Sequence, residues 1–236
     1  MATELEIHQA QAQILKTLLF KTEARFRDLN TQKLTTDHFT FHLKQLVEAK
    51  IIEKTLKGTY QLTAKGKEFA NRFDTEKVAL EKQAKAAVCI VAIKKEGTKI
   101  QYLSQQRLKN PFFGYRGFVT GKLRWGEELW ETAARELKEE TGLNGKLEFC
   151  GMEHKMDYSK EDRQILEDKF FYIIRATQTK GTLIEDFEGG KNGWLTEKEI
   201  LNEPKVFEDV PDILKVVKGK KFTFGEKKFY YSKKQY

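Results

Sequence analysis

The spacing of apolar residues changes along the chain, from helical in the first third to strand-like beyond it. A first amphipathic helix is predicted for residues 7–20, a small second helix for 26–29, and a third from N-cap candidates at 35–37 to about Lys50. The buried stripe expected on the third helix consists of Phe39, Leu43, Leu46 and Val47. This order predicts a small helical domain at the start of the chain.

Strand-like segments begin directly after the third helix. Two runs rich in β-forming residues, 51–56 and 59–63, flank a Lys-Gly pair and predict a hairpin. Residues 71–85 are polar and largely compatible with a helix, so they are predicted to connect this domain to a second one.

The second domain is predicted to be built mainly from strands. The apolar run at residues 87–93 indicates a buried strand, which pairs with residues 100–104 across a Glu-Gly turn. Further strands are predicted at residues 147–153, at 170–175 and around Trp194. Residues 207–217 are predicted to close the domain with a helix.

Composition favours a packed globular protein. Of the 236 residues, 39% are hydrophobic and 12% aromatic, which is too much apolar surface for a disordered chain. There is no run of about 18 apolar residues, and the first six residues are acidic, unlike a secretory signal. Cys89 and Cys150 form neither a CxxC pair nor a disulfide framework, as expected of two buried thiols in a reducing compartment. We therefore expect a soluble, cytoplasmic protein with no membrane partner.

Charge is unevenly distributed along the chain. The net charge of +8 divides into +3 for residues 1–83, −2 for 84–214 and +7 for 215–236. Basic ends are compatible with contact to a phosphate backbone, although a lysine-rich tail also serves simply to keep a protein in solution. Charge alone does not choose between these roles.

Three glutamates lie on one face of a helix predicted at residues 127–141. Glu136, Glu139 and Glu140 are related as i, i+3 and i+4, and Gly142 is placed to end the helix. Like charges at this spacing repel unless a positive group lies among them, and Mg²⁺ takes oxygen ligands of this kind. The alternative is a surface helix whose glutamates are solvated.

The segment around these glutamates resembles the Nudix box, a pattern of fixed glycine, glutamate, arginine and aliphatic positions. All of its fixed positions are matched, by Gly121, Glu127, Arg135, Glu136, Leu137, Glu139, Glu140, Gly142 and Leu143. The resemblance covers about residues 85–215. It implies an α/β/α sandwich with a mixed sheet, and hydrolysis of a nucleoside diphosphate linked to another group X.

The resemblance also implies roles for the residues of the box. Glu136, Glu139 and Glu140 would ligate Mg²⁺, or alternatively Mn²⁺, and Glu139 would help to deprotonate the attacking water. Glu127 and Arg135 would support the geometry of the loop and helix. A Nudix domain that only senses a nucleotide is the alternative.

Additional ligands of the metal are candidates outside the box helix. The backbone carbonyl of Thr120 is one such candidate. Glu188, with Glu185 or Asp186 as substitutes, is another, because some family members recruit an acidic residue from a loop shortly before a tryptophan-bearing strand. An acidic loop that lies in solvent is the alternative interpretation.

Recognition of a nucleobase requires aromatic and hydrogen-bonding side chains near the box. The candidates for this role are Phe112, Phe113, Tyr115, Phe118 and Asp209. Each of the aromatic residues can instead serve only to pack the core or a loop. The C-terminal residues 220–231 predict a small hairpin around a Gly-Glu turn, whose lysines and aromatics either contact single-stranded nucleic acid or pack on the domain.

The first domain, over about residues 7–74, resembles a winged helix-turn-helix DNA-binding domain, with three helices followed by a hairpin. In that family the third helix enters the major groove and the hairpin approaches the backbone. By this resemblance the residues facing double-stranded DNA would be Thr36, His38, Thr40, Phe41 and Lys44, with Lys54 and Lys57 on the wing. The alternative is a helical module that mediates dimerisation or contacts a protein.

These interpretations together predict an α+β protein with an N-terminal winged helix-turn-helix domain followed by a Nudix sandwich. Its predicted parts are residues 1–74, a linker at 75–85, the Nudix domain at 86–218 and a basic aromatic hairpin or tail at 219–236. The first functional hypothesis is a Mg²⁺-dependent hydrolase of a nucleotide-type small molecule, whose front domain regulates it, assembles it as a homodimer or brings it to nucleic acid. The second is a transcriptional regulator whose Nudix domain senses a nucleotide such as ADP-ribose.

Overall fold

A computed structural model describes residues 7–236, so the acidic start at residues 1–6 lies outside the described residues. The chain divides into two units between Lys82 and Gln83. No helix within the described residues is both long and apolar enough to cross a membrane.

The first unit follows the predicted order of helices and a hairpin. Its helices are α1 (Gln9–Leu19), α2 (Phe26–Leu29), α3 (Thr36–Glu48) and α4 (Ala64–Ala70). Its strands are β1 (Ile52–Lys54), β2 (Tyr60–Leu62), β3 (Phe73–Asp74) and β4 (Ala79–Leu80). Strands β1 and β2 pair antiparallel, and β3 pairs with β4 inside the segment predicted to be a linker.

The core of this unit forms between α1 and α3. Ile14, Leu15 and Leu18 of α1 are buried in one cluster with Phe39, Leu43 and Leu46 of α3. The expectation that Val47 belongs to the buried stripe is wrong, because it is 36% exposed. Its position, eight residues after Phe39, turns it about 80° away from the centre of the stripe.

The second unit is a mixed sheet with helices on both faces. Its strands are β5 (Lys85–Glu96), β6 (Lys99–Arg107), β7 (Arg116–Gly117), β8 (Val119–Lys122), β9 (Leu143–Ser159), β10 (Ile165–Gly181), β11 (Asp186–Phe187), β12 (Gly190–Leu195) and β13 (Thr223–Tyr231). Its helices are α5 (Leu129–Thr141), α6 (Glu197–Leu201) and α7 (Val210–Lys218). The strand order is β11-β12-β6-β5-β10-β9-β13, with β7 paired to β6 and β8 to β5. The β5–β10 and β9–β13 pairs are parallel and the other pairs of this sheet antiparallel, which confirms the predicted mixed sheet.

Alternate residues of β5 divide the core into two layers. Val88, Ile90 and Ala92 are buried with residues of α5, whereas Ala87, Cys89 and Val91 are buried with residues of α7. Successive side chains of a strand point to opposite faces, so a continuous apolar run is what a strand covered on both sides requires. The predicted α/β/α sandwich is therefore confirmed.

The C-terminal segment differs from the prediction of a hairpin. Residues 223–231 form the single strand β13, which pairs with β9 along its whole length. Gly225 and Glu226, expected to form a turn, instead lie opposite Glu153 and His154. Pairing with β9 is favoured over a local turn because it buries Phe229 and Tyr231.

Candidate functional site

The helix that carries the glutamates is fixed at both ends. At its start the Glu131 side chain accepts a hydrogen bond from the backbone N–H of the cap residue Glu128. At its end Gly142 adopts a left-handed conformation with φ of +73°, which glycine adopts without a steric penalty. The predicted helix and its glycine stop are thus present.

Gly121 lets β8 and α5 approach each other closely. A Cβ atom at residue 121 would lie 2.0 Å from the Cγ and Cδ atoms of Glu136, closer than real carbon atoms approach. The missing side chain is therefore the space that the Glu136 side chain fills. This contact gives a physical reason for glycine at the first position of the box.

Arg135 holds the carboxylates of the box by direct hydrogen bonds. Its Nε and Nη2 donate to the two oxygens of Glu127 at 2.6 and 2.8 Å, and its Nη1 donates to Glu136 at 2.7 Å and to Glu139 at 3.2 Å. The hydrogen bonds from Arg135 lower the pKa of Glu127 to about 2. The guanidinium therefore supplies the positive charge that three neighbouring glutamates need.

A cleft of about 540 Å³ lies beside these carboxylates. Its acidic lining includes Glu136 and Glu140, and Thr120 and Gly121 also line it. Cationic side chains line it too, namely Lys85, Arg107, Lys109, Lys122, Arg124 and Lys169. Such a lining suits an anionic ligand held together with a cation.

Glu140 is about as buried as Glu136, with side chains 15% and 13% exposed. Its Oε2 accepts a hydrogen bond from Gln105 Nε2 at 3.0 Å, and its Oε1 lies 3.9 Å from Lys109 Nζ. Burial raises the pKa of Glu140. The Glu139 side chain is 53% exposed, with one oxygen 3.9 Å from Arg124. The three carboxylates therefore have different surroundings, although they share one helix face.

The donor set fits a hard divalent cation, although the carboxylates do not converge. Within residues 7–236, no three histidine, cysteine, aspartate or glutamate side chains are arranged to hold a metal ion. Glu136 and Glu140 nevertheless share the cleft with Thr120, and the oxygen-only donors of these residues are those that Mg²⁺ prefers. Glu188 is exposed in the turn between β11 and β12 and does not line the cleft.

A smaller cavity of about 80 Å³ adjoins the cleft, and we call it the inner cavity. The two spaces have lining residues in common: Arg107, Pro111, Thr120, Lys169 and Phe171. Of the predicted base-binding residues, Phe112, Phe118 and Asp209 line the inner cavity. Tyr115 is buried behind it in an aromatic cluster with Phe112, and Phe113 is 55% exposed and does not line it.

Buried charges surround the inner cavity. Lys155 and Asp157 on β9 and Asp209 are each at least 95% buried, and Lys155 Nζ donates to Asp209 Oδ2 at 2.7 Å. Lys155 also lies against the rings of Phe207 and Phe229. Asp157 Oδ1 has no hydrogen-bond partner among the described residues, and burial raises the pKa of Asp157 to about 6. This oxygen lies 3.9 Å from Lys155 Nζ, and a buried carboxylate oxygen without a hydrogen bond is available to accept one from a ligand.

Several of these residues are absent from the sequence prediction. Gln105, Lys155 and Asp157 belong to no recognised motif, and only the fold brings them beside the box. Alternation on β9 does carry a signal, since charged residues occupy every second position from Glu153 to Asp157. That face is the buried one, whereas ordinary strand patterning would assign it to solvent.

All seven predicted DNA-facing residues of the first unit are exposed. Thr36, His38, Thr40, Phe41 and Lys44 lie on α3 away from its buried stripe, with Lys54 in β1 and Lys57 in the hairpin turn. Phe41 is 58% exposed, which is unusual for a large aromatic side chain. Their role in binding DNA stays a prediction.

The second unit is thus a mixed sheet between helices, with glutamates and cationic side chains that line one cleft. The family model described as NUDIX domain matches residues 83–216, so the chain belongs to the Nudix family. The structure is similar to that of the MutT protein from Bacillus halodurans, with 23% identity and a TM-score of 0.52, over 64% of this chain and 93% of that one. It is also similar to the NUDIX domain of Shewanella oneidensis NrtR complexed with ADP ribose, with 19% identity and a TM-score of 0.50, over 64% and 95% of the two chains. At these sequence identities, the two structural similarities support the assignment of the fold.

Proposed function

We propose that the protein is a Mg²⁺-dependent hydrolase that cleaves the diphosphate linkage of a nucleoside diphosphate compound. The observation that carries this proposal is the cleft, which contains Glu136 and Glu140 together with several lysines and arginines. Cationic side chains bind phosphate oxygens, and carboxylates hold the cation that accompanies them. A surface helix with solvated glutamates would not share a lined cleft with so many cations.

The residues of the site have separate tasks in this proposal. Glu136, Glu139 and Glu140 would hold Mg²⁺, which when bound neutralises the diphosphate and acidifies a coordinated water. Arg135 orients Glu136 and Glu139, and Gln105 orients Glu140. The more exposed Glu139 accepts a proton from the attacking water.

The nucleoside end of the substrate enters the inner cavity in this proposal. Phe112 and Phe118 supply apolar surface, and Asp209 with Lys155 forms a fixed polar pair. Asp157 adds an acceptor oxygen that has no hydrogen-bond partner among the described residues, which suits an N–H group of a heterocycle. The substrate would then extend from a partly apolar pocket to a charged cleft.

Hydrolysis of a substrate panel by the wild type and by Glu139→Gln tests the catalytic assignment. The panel comprises 8-oxo-dGTP, ADP-ribose, dinucleoside polyphosphates and nucleotide sugars, assayed with Mg²⁺ by phosphate release with coupling enzymes. We expect one compound to be turned over and the variant to lose about 100-fold or more in kcat, as removal of a general base does. Glu148→Gln, whose side chain is 57% exposed and pairs with Arg175, is the control. Undiminished turnover by Glu139→Gln would contradict the assignment.

A second candidate function is a regulator that binds double-stranded DNA and senses a nucleotide. It is favoured by the exposed face of α3, where Phe41 and Lys44 lie opposite a well-packed core stripe. A winged helix-turn-helix domain would use this face in the major groove and the exposed Lys54 and Lys57 near phosphates. An exposed face can equally contact protein or a second copy of the chain, so binding must be measured.

Fluorescence anisotropy with double-stranded DNA distinguishes these uses of the first unit. We expect binding that weakens steeply with salt, and Lys44→Ala should reduce the slope of log K against log salt by about one. Glu48→Gln, on the same helix, removes an acidic partner of Lys44 and serves as the control. Salt-independent binding, or none, together with a dimeric molecular mass in light scattering, would instead favour the dimerisation module.

A further inference from the structure

The last residues of the chain pack against the substrate end of the site. The family match stops at residue 216, yet the chain continues through β13 to the segment Ser232–Tyr236, which we call the tail. The loop Leu108–Tyr115, which we call the substrate loop, supplies Lys109 and Asn110 to the cleft, Phe112 to the inner cavity, and Pro111 to both.

The substrate loop does not hold its conformation by local bonds alone. Phe112 has a φ of +65°, a left-handed conformation that costs a non-glycine residue about 1–2 kcal/mol. The Arg107 side chain donates to the carbonyls of Asn110 and Pro111, which fixes the first half of the loop. In the second half, Gly114 N–H donates to the carbonyl of Arg107 and Tyr115 N–H donates to that of Phe112, but the Phe112 N–H takes its partner from outside the loop. Strain such as that at Phe112 persists only where the surroundings enforce it.

The tail provides the partner of the Phe112 N–H and a further hydrogen bond to Tyr115. The backbone N–H of Phe112 donates to the carbonyl of Tyr236 at 3.1 Å, and Gln235 Nε2 donates to the Tyr115 hydroxyl at 2.8 Å. The rings of Phe112 and Tyr236 meet edge to face with centroids 5.3 Å apart. Tyr231, at the end of β13, packs on the same Phe112 ring at 4.8 Å.

A second set of contacts connects the tail to the cationic cleft. The Tyr236 hydroxyl donates to Glu167 Oε1 at 3.0 Å, and the other oxygen of Glu167 accepts from Lys85 Nζ at 2.7 Å. Glu167 and Lys85 both line the cleft. Burial, and the hydrogen bond to Glu167, raise the pKa of Tyr236 to about 12, so its hydroxyl stays a donor at neutral pH.

The tail is itself anchored and does not rely on the loop for its position. Lys233 donates its backbone N–H to Glu161, and its ammonium lies 2.7 Å from Asp162. The tail also closes a turn on itself, since the backbone N–H of Tyr236 donates to the carbonyl of Ser232 at 3.2 Å. An anchored tail can therefore impose a position on the loop.

We infer that Gln235 and Tyr236 are positioning residues for substrate binding, which hold the substrate loop and the Lys85–Glu167 pair where the substrate meets them. The inference rests on the proposed function for its kinetic consequence only. Removal of the tail should loosen the loop, weaken binding of substrate and leave the carboxylates of α5 unaffected, because no contact of the tail reaches them within the described residues.

Hydrogen exchange measured by mass spectrometry tests the structural half of this inference on the free protein. Ending the chain after Tyr231, and separately Tyr236→Ala, should speed exchange in peptides covering residues 108–115 by about tenfold or more, as expected when amides lose their protecting bonds. Lys234→Ala, an exposed change within the tail, is the matched control and should leave exchange unchanged. Unchanged exchange of residues 108–115 in both tail variants, at wild-type melting temperature, would overturn the inference.

Steady-state kinetics test the functional half of this inference, with a variant that changes a single hydroxyl group. Tyr236→Phe keeps the ring and the backbone carbonyl but removes the hydroxyl that contacts Glu167, so it should raise KM by about two- to fivefold with kcat unchanged, the size of one lost hydrogen bond. Gln235→Ala should act in the same direction. A fall in kcat at constant KM in these variants would overturn the positioning role. If no panel compound is hydrolysed by any form, the proposed function fails, while the exchange result still decides whether the tail holds the loop.

Discussion

The two ends of the substrate site treat buried charge in opposite ways. Beside α5, the carboxylates have partners already in place, since Arg135 bonds three of the box glutamates and Gln105 bonds the fourth. In the inner cavity, Asp157 is buried with an oxygen that lies 3.9 Å from Lys155 Nζ and has no hydrogen-bond partner among the described residues. In the proposed function, the satisfied end is held rigid for chemistry, whereas the unsatisfied end gains a hydrogen bond when a ligand binds. In the proposed function, rate and recognition are therefore carried by different residues of one connected site.

The largest effect on activity is expected from a substitution that crowds the carboxylate end of the site. Gly121→Ala would place a methyl group 2.0 Å from Glu136, so Glu136 or β8 must move. Because misplacement of a catalytic group by about 1 Å costs about 100-fold in rate, we expect at least that loss of kcat, with a destabilisation of about 1–3 kcal/mol. Kinetic assays and thermal unfolding measure the two effects.

Gly193→Ala is the control for this substitution, because no atom lies within 4 Å of a Cβ built at Gly193 and its φ is not positive. It should change neither the rate nor the melting temperature appreciably. Equal activity of Gly121→Ala and wild type would show that the close contact between β8 and Glu136 is not needed for the reaction.

Asp157, at the unsatisfied end, is expected to make the stability of the protein depend on pH. The pKa of Asp157 is raised by burial to about 6, from a reference value of 3.8. The folded protein therefore binds this proton more tightly than the unfolded chain, and stability falls as the pH rises from about 4 to above 6. A pKa shift of this size lowers the free energy of unfolding by roughly 3 kcal/mol between pH 4 and a pH above 6. Asp157→Asn should remove that part of the slope and unfold at a higher temperature near neutral pH.

Chemical denaturation at pH 4, 5, 6 and 7 measures this slope. Asp168→Asn, a carboxylate on β10 that is about one-third exposed and bonded to His154, is the comparison variant. It should keep the fall in stability between pH 4 and 6. If Asp157→Asn showed the same fall as the wild type, the ionised Asp157 would not be the source of the instability.

The sequence predicts the helix of the Nudix box better than it predicts the pocket, for a physical reason. The box combines a glycine that permits close contact, an arginine that bridges carboxylates and a glycine that ends a helix, and these are local requirements that appear at fixed spacing. The pocket is assembled from separate elements, with Gln105 from β6, Asp157 from β9 and Asp209 from the start of α7. No spacing along the chain records which of these residues will meet.

The alternation of residue types along β9 predicts the wrong face of the strand to be buried. Met152, Met156 and Tyr158 are only half buried, whereas Glu153, Lys155 and Asp157 face the interior. A strand that breaks the ordinary rule in this way is where a functional site is expected. The C-terminal strand shows a related limit, because its partner β9 lies far away in the sequence and a local Gly-Glu turn signal predicts a hairpin instead.

The kinetic constants of Glu139→Gln and Asp157→Asn, measured with one panel substrate, test the division of tasks most directly. We predict that Glu139→Gln lowers kcat by about 100-fold or more with KM nearly unchanged, since it removes an interaction of the transition state. Asp157→Asn should raise KM by about fivefold or more with kcat nearly unchanged, since it weakens the acceptor that the nucleoside end uses. The account is contradicted if Glu139→Gln keeps its kcat, or if Asp157→Asn lowers kcat while KM stays constant.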